Sequence, residues 1–233
     1  MGDGAVARPQ LVLLAHGTDD PAGRAALEAV RSAVTERVAD APVLLAHLGS
    51  GPTPVVAVIE ALDDAVVVPL LLGSGYHVTV DVPAVVRSHG RIAVTAALGP
   101  DPAVVTALTD RVREVVDGRV GAVVLCAAGS GRPRARAQAR LAALALGHRL
   151  GTRTTTAFLS GAGTGVPEAL AWARGVAERG PVVLASYLLA PGHFQNRLRR
   201  EARRFAVPAS APLGAHPDIV GLVAERYRDA TVV

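Results

Sequence analysis

Short apolar runs alternate along this chain with longer stretches in which apolar residues recur at helical spacing. Residues 11–15 form such a run, and residues 22–38 follow it with a helical pattern. The pairing recurs through the first half: strands are predicted at 43–46, 65–72 and 92–96, and helices at 55–62, 80–87 and 103–116. Strands that alternate with helices favour a parallel sheet covered by helices, so the pattern predicts an α/β fold.

The second half of the chain repeats this alternation. Its predicted strands cover residues 122–125, 154–158 and 182–187, and its predicted helices cover residues 135–146, 167–177, 195–204 and 219–228. Two segments also match between the halves: 66–77 aligns with 182–193 (193 − 77 = 116), and 98–102 aligns with 213–217 (213 − 98 = 115). Nearly constant offsets in separate motifs indicate a tandem duplication.

The duplication predicts two similar lobes, each a parallel sheet of about four strands flanked by helices. Residues 1–117 would form the N-terminal lobe with the active site, and residues 118–233 a degenerate C-terminal lobe. The boundary is expected near Gly118, where a helix ends at a glycine before the next strand. Two lobes that face one another leave a cleft between them, which is a favoured place for a ligand.

The composition fits a globular protein without membrane spans. Hydrophobic residues make up 50% of the 233 residues, which is ample for a core. No apolar run approaches the roughly 20 residues that a membrane helix needs. The first residues lack the apolar segment of a signal peptide, so the cytoplasm is the expected compartment. Cys126, the one cysteine, lies in an apolar run and is expected to be a buried structural thiol.

The chain has no lysine, so all 24 of its Lys and Arg side chains are arginines, against 20 acidic ones. Aromatic residues make up only 3%, which leaves few stacking platforms for bases, and nucleic acid is not an expected partner. The arginines suit solubility or a small carboxylate-rich ligand, because guanidinium groups hold carboxylates through paired hydrogen bonds. A predicted helix after His193 is rich in arginine, and Arg197 and Arg200 are candidate substrate contacts. Helical spacing places some of its arginines in solvent.

Histidines follow the predicted strands at the edge where parallel sheets bind ligands. His16 ends the first strand and His77 follows the third, so the two are expected to become neighbours beyond the carboxyl ends of the strands. Imidazole binds first-row divalent metals and accepts a proton near neutral pH. His47 ends the second strand at the same edge and is a third candidate ligand. The alternative is that a histidine only hydrogen-bonds its own loop. That interpretation is preferred for the histidines in predicted helices or turns: His89, His148 and His216.

Only one half keeps the full histidine motif. Residues 15–18 (Ala-His-Gly-Thr) correspond to residues 127–130 (Ala-Ala-Gly-Ser), so the second half lacks the first histidine and retains His193. The chemistry is therefore expected in the N-terminal lobe. The glycine-rich loops at 49–51 and 160–163 complete neither a P-loop nor a dinucleotide fingerprint, which disfavours nucleotide binding. Glycines there let the backbone lie close to a flat ligand.

Two motifs of the first half resemble those of the sirohydrochlorin chelatases. Residues 15–21 (AHGTDDP) are similar to the family's A-H-G-[ST]-x-D-P. Residues 68–83, with VPLLL and then YHVTVDVP, are similar to its P-L-[FL]-L followed by G-H or Y-H and D-[IV]-P. Residues 186–192 and 212–217 look like the degenerate C-terminal lobe of the two-lobed actinobacterial members. The resemblance covers nearly the whole chain. It implies a class II chelatase, a lyase related in fold to the ferrochelatases that acts without ATP.

On the family pattern, His16 and His77 would hold the metal and accept the pyrrole protons while Fe²⁺, Co²⁺ or Ni²⁺ enters the ring. The metal is then a substrate, and no tightly bound cofactor is expected. The tetrapyrrole is rich in carboxylates, which would suit arginines around the cleft. A duplicated chain would replace the homodimer of a single-lobed relative, so a monomer is expected. The implied substrate-binding residues are Thr18, Ser74, Gly75, Tyr76, His193, Arg197 and Arg200.

One position departs from the family pattern. Many relatives have an acidic residue in the loop after the second strand, where this chain has Gly49. His47 is the residue that could stand in for that carboxylate. The leading alternative is a protein that carries a tetrapyrrole or a metal without catalysing insertion, and a nucleotide-binding oxidoreductase comes third. The metal, and with it the sirohaem or cobalamin pathway, stays open.

Overall fold

Strands and helices alternate throughout the computed structural model, which describes residues 8–49, 51–73 and 91–231. Its strands are β1 Gln10–Ala15, β2 Val43–His47, β3 Asp64–Pro69, β4 Arg91–Val94, β5 Ala122–Ala127, β6 Arg153–Phe158 and β7 Val182–Tyr187. Its helices are α1 Pro21–Arg37, α2 Val55–Glu60, α3 Pro102–Arg113, α4 Pro133–Leu150, α5 Val166–Val176, α6 His193–Phe205 and α7 Pro217–Thr231. Each predicted element overlaps one of these, except the helix predicted at 80–87, which lies outside the described residues. None of the described helices is both long enough and apolar enough to cross a membrane.

The strands form two parallel sheets. The first has the order β2-β1-β3-β4 and the second has the order β6-β5-β7. The predicted pair of helix-flanked parallel sheets is confirmed, although the described part of the second sheet has three strands rather than about four. After α6 the chain passes β7 but forms only an isolated bridge with it, between Leu184 and Ala209. Pro208 and Pro212 flank that bridge and lack the N–H donor that a longer ladder needs.

The strand register shifts the internal match by one residue. β1 and β5 correspond, because each ends at an alanine, two residues before a glycine with positive φ, 94° at Gly17 and 111° at Gly129. Matching positions of these two strands pair with Val66 in β3 and with Val183 in β7. Val66 therefore corresponds to Val183, not to Val182 as the sequence alignment predicts. With this register, the segment from Val66 to His77 is one residue longer than the segment from Val183 to His193.

One hydrophobic core lies between the two sheets and is built from both halves. Residues of β1, β3, β5 and β7 face it, and α1, α3, α4 and α7 fill it. α3 packs against β7 of the second sheet, whereas α7 packs against β3 of the first. The last helix of each half therefore crosses to the sheet of the other half. Smaller clusters cover the outer faces, with α2 on the first sheet and α5 and α6 on the second.

β1 illustrates how these sheets bury both faces. Leu11 and Leu13 belong to the shared core, and Val12 and Leu14 belong to the outer cluster with α2. All four are fully buried, so the strand is a continuous apolar run, as expected for a parallel strand with helices on both sides. Cys126 has a similar place in β5. It is fully buried as predicted, and burial raises the pKa of its thiol because the thiolate would be poorly solvated.

Candidate active site

A cleft of about 900 Å³ lies between the two halves, beyond the carboxyl ends of the strands. Loops after β1 and β3 line it from the first half, and loops after β5 and β7 line it from the second. Ligands of parallel α/β sheets bind at this edge, because loops and helix N-termini converge there. The volume lies towards the upper end of the range for small-molecule sites, about 300–1,000 Å³. The main lining segments are 15–20, 70–73, 127–130 and 187–195.

His16 stands on the wall of this cleft, directly after β1. The residue is exposed, but its backbone is held in place. Its carbonyl accepts a hydrogen bond from the Gly49 N–H at 2.9 Å, and the Ala15 carbonyl accepts one from the Leu48 N–H at 3.0 Å. Gly17 follows in a left-handed conformation that glycine adopts without steric cost. The strand end and its turn therefore present the imidazole to the ligand space.

Thr18 and Asp20 build the corner that leads from β1 into α1. Thr18 Oγ1 accepts from the Asp20 N–H at 3.1 Å, and the Asp20 carboxylate caps α1 by accepting from N–H groups of its first turn. Asn196 of α6 donates to the second Asp20 oxygen at 3.3 Å. A Cβ at Gly23 would lie 2.6 Å from the Pro191 carbonyl oxygen, so glycine permits the close approach of the two halves. The start of α6 thus docks on the predicted substrate loop of the first half.

His193 lines the same cleft from the second half. It is the first residue of α6, it is exposed, and its ring meets that of Phe194 edge to face with 5.3 Å between centroids. The structure therefore brings three of the predicted site residues, His16, Thr18 and His193, to one cleft. Four further predicted site residues lie outside the described part of the chain: Ser74, Gly75, Tyr76 and His77.

His47 lies beneath its loop. The residue is 4% exposed, its Nδ1 is 3.3 Å from the Thr53 carbonyl oxygen, and its ring packs against Gly51. Since a carbonyl oxygen only accepts, a hydrogen bond here requires a proton on Nδ1. Phe158 occupies the matching place at the end of β6, packed against Gly163. A phenyl ring there indicates that the position fills space, and His47 is not among the residues that line the described part of the cleft.

Arg197 and Arg200 lie on the outer face of α6. Both are exposed, whereas Gln195, Leu198 and Ala202 form the buried face of the helix. Neither arginine is among the lining residues in the part of the cleft that the structure describes. These two predicted contacts therefore lie on the flank of a helix whose first turn lines the cleft.

Gln195 anchors that first turn. Its Oε1 accepts from the Ser186 hydroxyl at 2.7 Å, and its Nε2 donates to the Ser210 carbonyl at 3.2 Å. The Ser210 hydroxyl in turn accepts from the Ser186 N–H at 2.9 Å. All three residues are buried. Buried polar groups that satisfy one another hold a fixed geometry, so this network positions the turn that begins at His193.

Tyr187 ties the two halves together beside the cleft. Its hydroxyl donates to the Leu72 carbonyl at 2.7 Å, and the residue is buried. Gly99 makes room for the hydroxyl, since a Cβ at that position would collide with it. Burial raises the pKa of the Tyr187 phenol because the phenolate would be poorly solvated, so the group is a neutral donor near pH 7.

Arg136 is a cleft residue that the sequence patterns did not single out. It lies near the start of α4, is half-buried, and its Nη1 donates to the Ser130 carbonyl at 2.7 Å. The signal is present in the duplication, because residues 129–136 match residues 17–24 at a constant offset and both segments end in an arginine. Extending the alignment of the two halves beyond the ends of β1 and β5 would have identified Arg136 as a candidate.

A histidine–carboxylate cluster lies elsewhere, at the contact between α3 and α7. His216 has its Nε2 3.5 Å from the Asp110 carboxylate and its Nδ1 3.3 Å from the Asp218 carboxylate. The Asp218 N–H also donates to Nδ1, at 3.3 Å. The ring therefore caps the start of α7, in agreement with the prediction of local contacts for His216. It also links α7 to α3 through Asp110, a contact that this prediction did not include.

Two facing parallel sheets, with a histidine in the cleft at their strand ends, define a two-lobed α/β protein built from a repeated unit. The sequence model of the CbiX family matches residues 10–115 and, a second time, residues 122–230. The chain belongs to the CbiX family, and the double match confirms the tandem duplication.

Solved structures of chelatases have a similar fold. SirB from Bacillus subtilis with Fe³⁺ is 21% identical, covers 96% of both chains and has a TM-score of 0.81. The sirohydrochlorin chelatase SirB from Bacillus subtilis subspecies spizizenii, in complex with cobalt, is 20% identical over 97% of this chain and 96% of that chain, with a TM-score of 0.80. CbiX, described as the terminal enzyme for biosynthesis of siroheme in denitrifying bacteria, is 23% identical over 95% of this chain and 99% of that chain, with a TM-score of 0.69. These similarities confirm the predicted fold and, with the family match, the resemblance to the sirohydrochlorin chelatases. A comparison with curated proteins gave no match.

Proposed function

We propose that the chain is a sirohydrochlorin chelatase that inserts a divalent metal into a tetrapyrrole held between its lobes. The observation that supports this most directly is the place of His16, at the end of β1 and on the wall of a cleft of about 900 Å³. Membership of the CbiX family, and the fold shared with proteins solved with Fe³⁺ or cobalt, support the assignment of a metal ligand in this cleft.

Metal insertion requires a ligand that releases the metal and an acceptor for the pyrrole protons. A neutral imidazole can coordinate a first-row divalent metal and can accept a proton near neutral pH. We assign these roles to His16 together with His77, which the family resemblance pairs with it. Fe²⁺, Co²⁺ or Ni²⁺ is a substrate in this proposal. The reaction uses neither ATP nor a tightly bound cofactor, as in a lyase-class chelatase.

The proposed substrate-binding residues come from both lobes. Thr18 and His193 lie on the described wall of the cleft. Arg197 and Arg200 lie on the exposed flank of the helix that begins at His193, where their charge would attract substrate carboxylates. The motif around His77 supplies the rest of the proposed set: Ser74, Gly75 and Tyr76.

We also propose a cytoplasmic monomer. The shared core already joins two sheets within one chain, so the lobes face one another without a second copy. In this arrangement residues 1–117 carry the chemistry, and residues 118–233 form the other wall of the cleft.

A carrier of tetrapyrrole or metal is the second candidate function. Gly49 favours the carrier function. It occupies a position in the loop after β2 that is acidic in many members of the family that the chain resembles, so this loop lacks the expected carboxylate. The loop lies against the catalytic histidine of the first proposal, since the Gly49 N–H donates to the His16 carbonyl. A carrier would bind the ligand without accelerating metal insertion.

An absorbance assay of insertion into sirohydrochlorin, with Fe²⁺, Co²⁺ and Ni²⁺ in turn, tests the proposal. We expect the wild type to exceed the spontaneous rate, and His16→Ala and His77→Ala to lose about a hundredfold or more, as for a positioned proton acceptor. His148→Ala is the matched control, because His148 is exposed on α4 and does not line the cleft. Unchanged turnover in His47→Ala would exclude a role for His47 as the base.

If the wild type binds sirohydrochlorin but never exceeds the spontaneous rate of insertion, the chelatase proposal is wrong and the carrier function is supported. A loss in His148→Ala equal to that in His16→Ala would show that the effect is not specific to the cleft. Fastest insertion of Fe²⁺ would favour a role in sirohaem synthesis, and fastest insertion of Co²⁺ would favour a role in cobalamin synthesis.

A further inference from the structure

Arg136 is a charged residue of the cleft to which the proposed function gives no role. We propose that its guanidinium binds a carboxylate of the tetrapyrrole, so that the corner after β5 is an anion-binding surface contributed by the second half. The identity of the ligand rests on the proposed function. The preference for a carboxylate rests on the structure of the two repeated corners.

The corners after β1 and β5 are built alike. Each has a glycine of positive φ, then a hydroxyl side chain that accepts from the N–H two residues on at 3.1 Å, then a proline at the start of a helix. Each also ends in an arginine whose Nη1 donates to a carbonyl of the same corner at 2.7 Å, from Arg24 to Asp19 and from Arg136 to Ser130. The two corners therefore share a backbone and differ in their side chains.

Those side chains carry opposite charge. The first corner has Asp19 and Asp20, and Asp20 caps α1. The second corner has Gly131 and Arg132 at the matching positions, and α4 begins without a side-chain cap from its N-cap residue. A ligand carboxylate is therefore repelled at the first corner and attracted at the second.

Arg136 is placed to use this difference, and Arg24 is not. Arg136 is half-buried and lines the cleft together with Ala139 and Phe158. Arg24 is exposed and is not among the lining residues of the described cleft. Apolar neighbours reduce solvent screening, which strengthens a pair between guanidinium and carboxylate. The bond to Ser130 holds one end of the guanidinium, so its plane is oriented before a ligand arrives.

Absorbance titration of the full chain with uroporphyrin, an octacarboxylate porphyrin, tests the proposal without metal. Arg136→Gln should raise the Kd about ten- to a hundredfold, because a hydrogen bond to a charged group contributes on that scale. Arg24→Gln removes the matching arginine of the other corner and should leave the Kd within about twofold, as expected for an exposed charge. Arg136→Lys keeps the charge without the planar fork and should restore only part of the affinity.

The dependence on salt gives a second readout. The Kd of the wild type should rise more steeply with salt concentration than that of Arg136→Gln, because the variant has one charge pair fewer to be screened. Parallel salt curves for the two proteins would contradict a charged contact at Arg136.

Equal Kd values for folded wild type and folded Arg136→Gln would overturn the proposal, and so would an equal loss in Arg24→Gln. If Arg136→Gln fails to fold, Arg136→Lys decides: wild-type affinity in that variant overturns the paired contact. Metal insertion separates this inference from the proposed function. If the wild type binds uroporphyrin through Arg136 but never inserts metal, the anion-binding site is supported and the chelatase proposal is contradicted. If the wild type inserts metal and Arg136→Gln has an unchanged Kd and KM, the chelatase proposal is supported and the anion-binding site is contradicted.

Discussion

Two tyrosine hydroxyls each donate a hydrogen bond to a backbone carbonyl of the other half of the chain. One tyrosine lines the described part of the cleft and the other does not. Tyr187 donates to the Leu72 carbonyl beside the cleft, and Tyr227 of α7 donates to the Pro9 carbonyl before β1, both at 2.7 Å. Both tyrosines are buried. They form a matched pair, since each joins one half to the other through the same chemistry.

Tyr187→Phe and Tyr227→Phe should each lower the free energy of unfolding by about 1–2 kcal/mol, because each leaves a carbonyl without its donor. Only Tyr187→Phe should also weaken uroporphyrin binding, since Tyr187 lines the cleft and Tyr227 does not. Urea unfolding and absorbance titration measure the two effects. Equal losses of binding in both variants would indicate general loosening instead of a local effect at the cleft.

Alkaline pH should destabilise the fold through buried groups. Burial raises the pKa of Tyr187, Tyr227 and Cys126. In the unfolded chain, thiols titrate near pH 8.5 and phenols near pH 10, so above these values the unfolded state releases protons that the folded state keeps. The free energy of unfolding should therefore be unaffected by these groups at neutral pH and fall as pH rises above about 9. Tyr187→Phe should make the fall shallower in urea titrations at stepped pH, and an equal slope would contradict the assignment.

The sequence predicts the place of His16 better than it predicts the direction of His47. Both follow a short apolar run, and strand ends in a parallel sheet share one edge. The ring of His47 is set by contact with Gly51 and by the Thr53 carbonyl, which are features of the folded loop. Strand periodicity fixes the face of a residue but not the path of the loop above it, so the burial of His47 could not be predicted.

At the scale of elements, periodicity predicts the described strands and helices but not every partner. α6 is the clearest case, because its buried face begins with Gln195, whose partners Ser186 and Ser210 come from other parts of the chain. A polar residue has no apolar signal, so the sequence could not show which arginines face outward. The one-residue shift between β3 and β7 was hidden for a related reason: runs of Val and Leu align almost equally well in neighbouring registers.

The exposed arginines of α6 should increase the affinity for an anionic ligand through long-range electrostatic attraction. Arg197→Gln combined with Arg200→Gln should weaken uroporphyrin binding about two- to fivefold at low salt, with the difference disappearing near 0.5 M salt, because exposed charges are screened. The control is Arg140→Gln combined with Arg149→Gln, a pair of exposed arginines on α4. A difference that persists at high salt would instead place the α6 arginines in direct contact with the ligand.

At the scale of the whole molecule, the sequence shows the repeat but not the exchange of helices. Apolar faces predict that α3 and α7 are buried, yet periodicity cannot say which sheet a helix covers. The structure packs α7 on β3 and α3 on β7. Each sheet is therefore completed by a helix from the other half of the chain.

A fragment of residues 1–117 should not form a stable monomer, because the face of β3 that α7 covers would be exposed. We expect it to aggregate or to pair with a second copy, and co-expression with residues 118–233 should restore a soluble complex. Light scattering with size-exclusion chromatography gives the mass, and circular dichroism gives the fold. A monomeric fragment that unfolds as cooperatively as the full chain would show that the exchanged helix is dispensable.

The exchange also links the evolutionary fates of the two repeats. Ala128 stands where the first repeat has His16, so the second repeat lacks the histidine to which the proposed chemistry is assigned and is free to vary at that position. Its final helix has no such freedom, because α7 completes the sheet that presents His16. On the proposed function, selection for the chemistry at His16 therefore also preserves the scaffold of the second repeat, and a gene that lost the second repeat would leave the sheet of the first one uncovered.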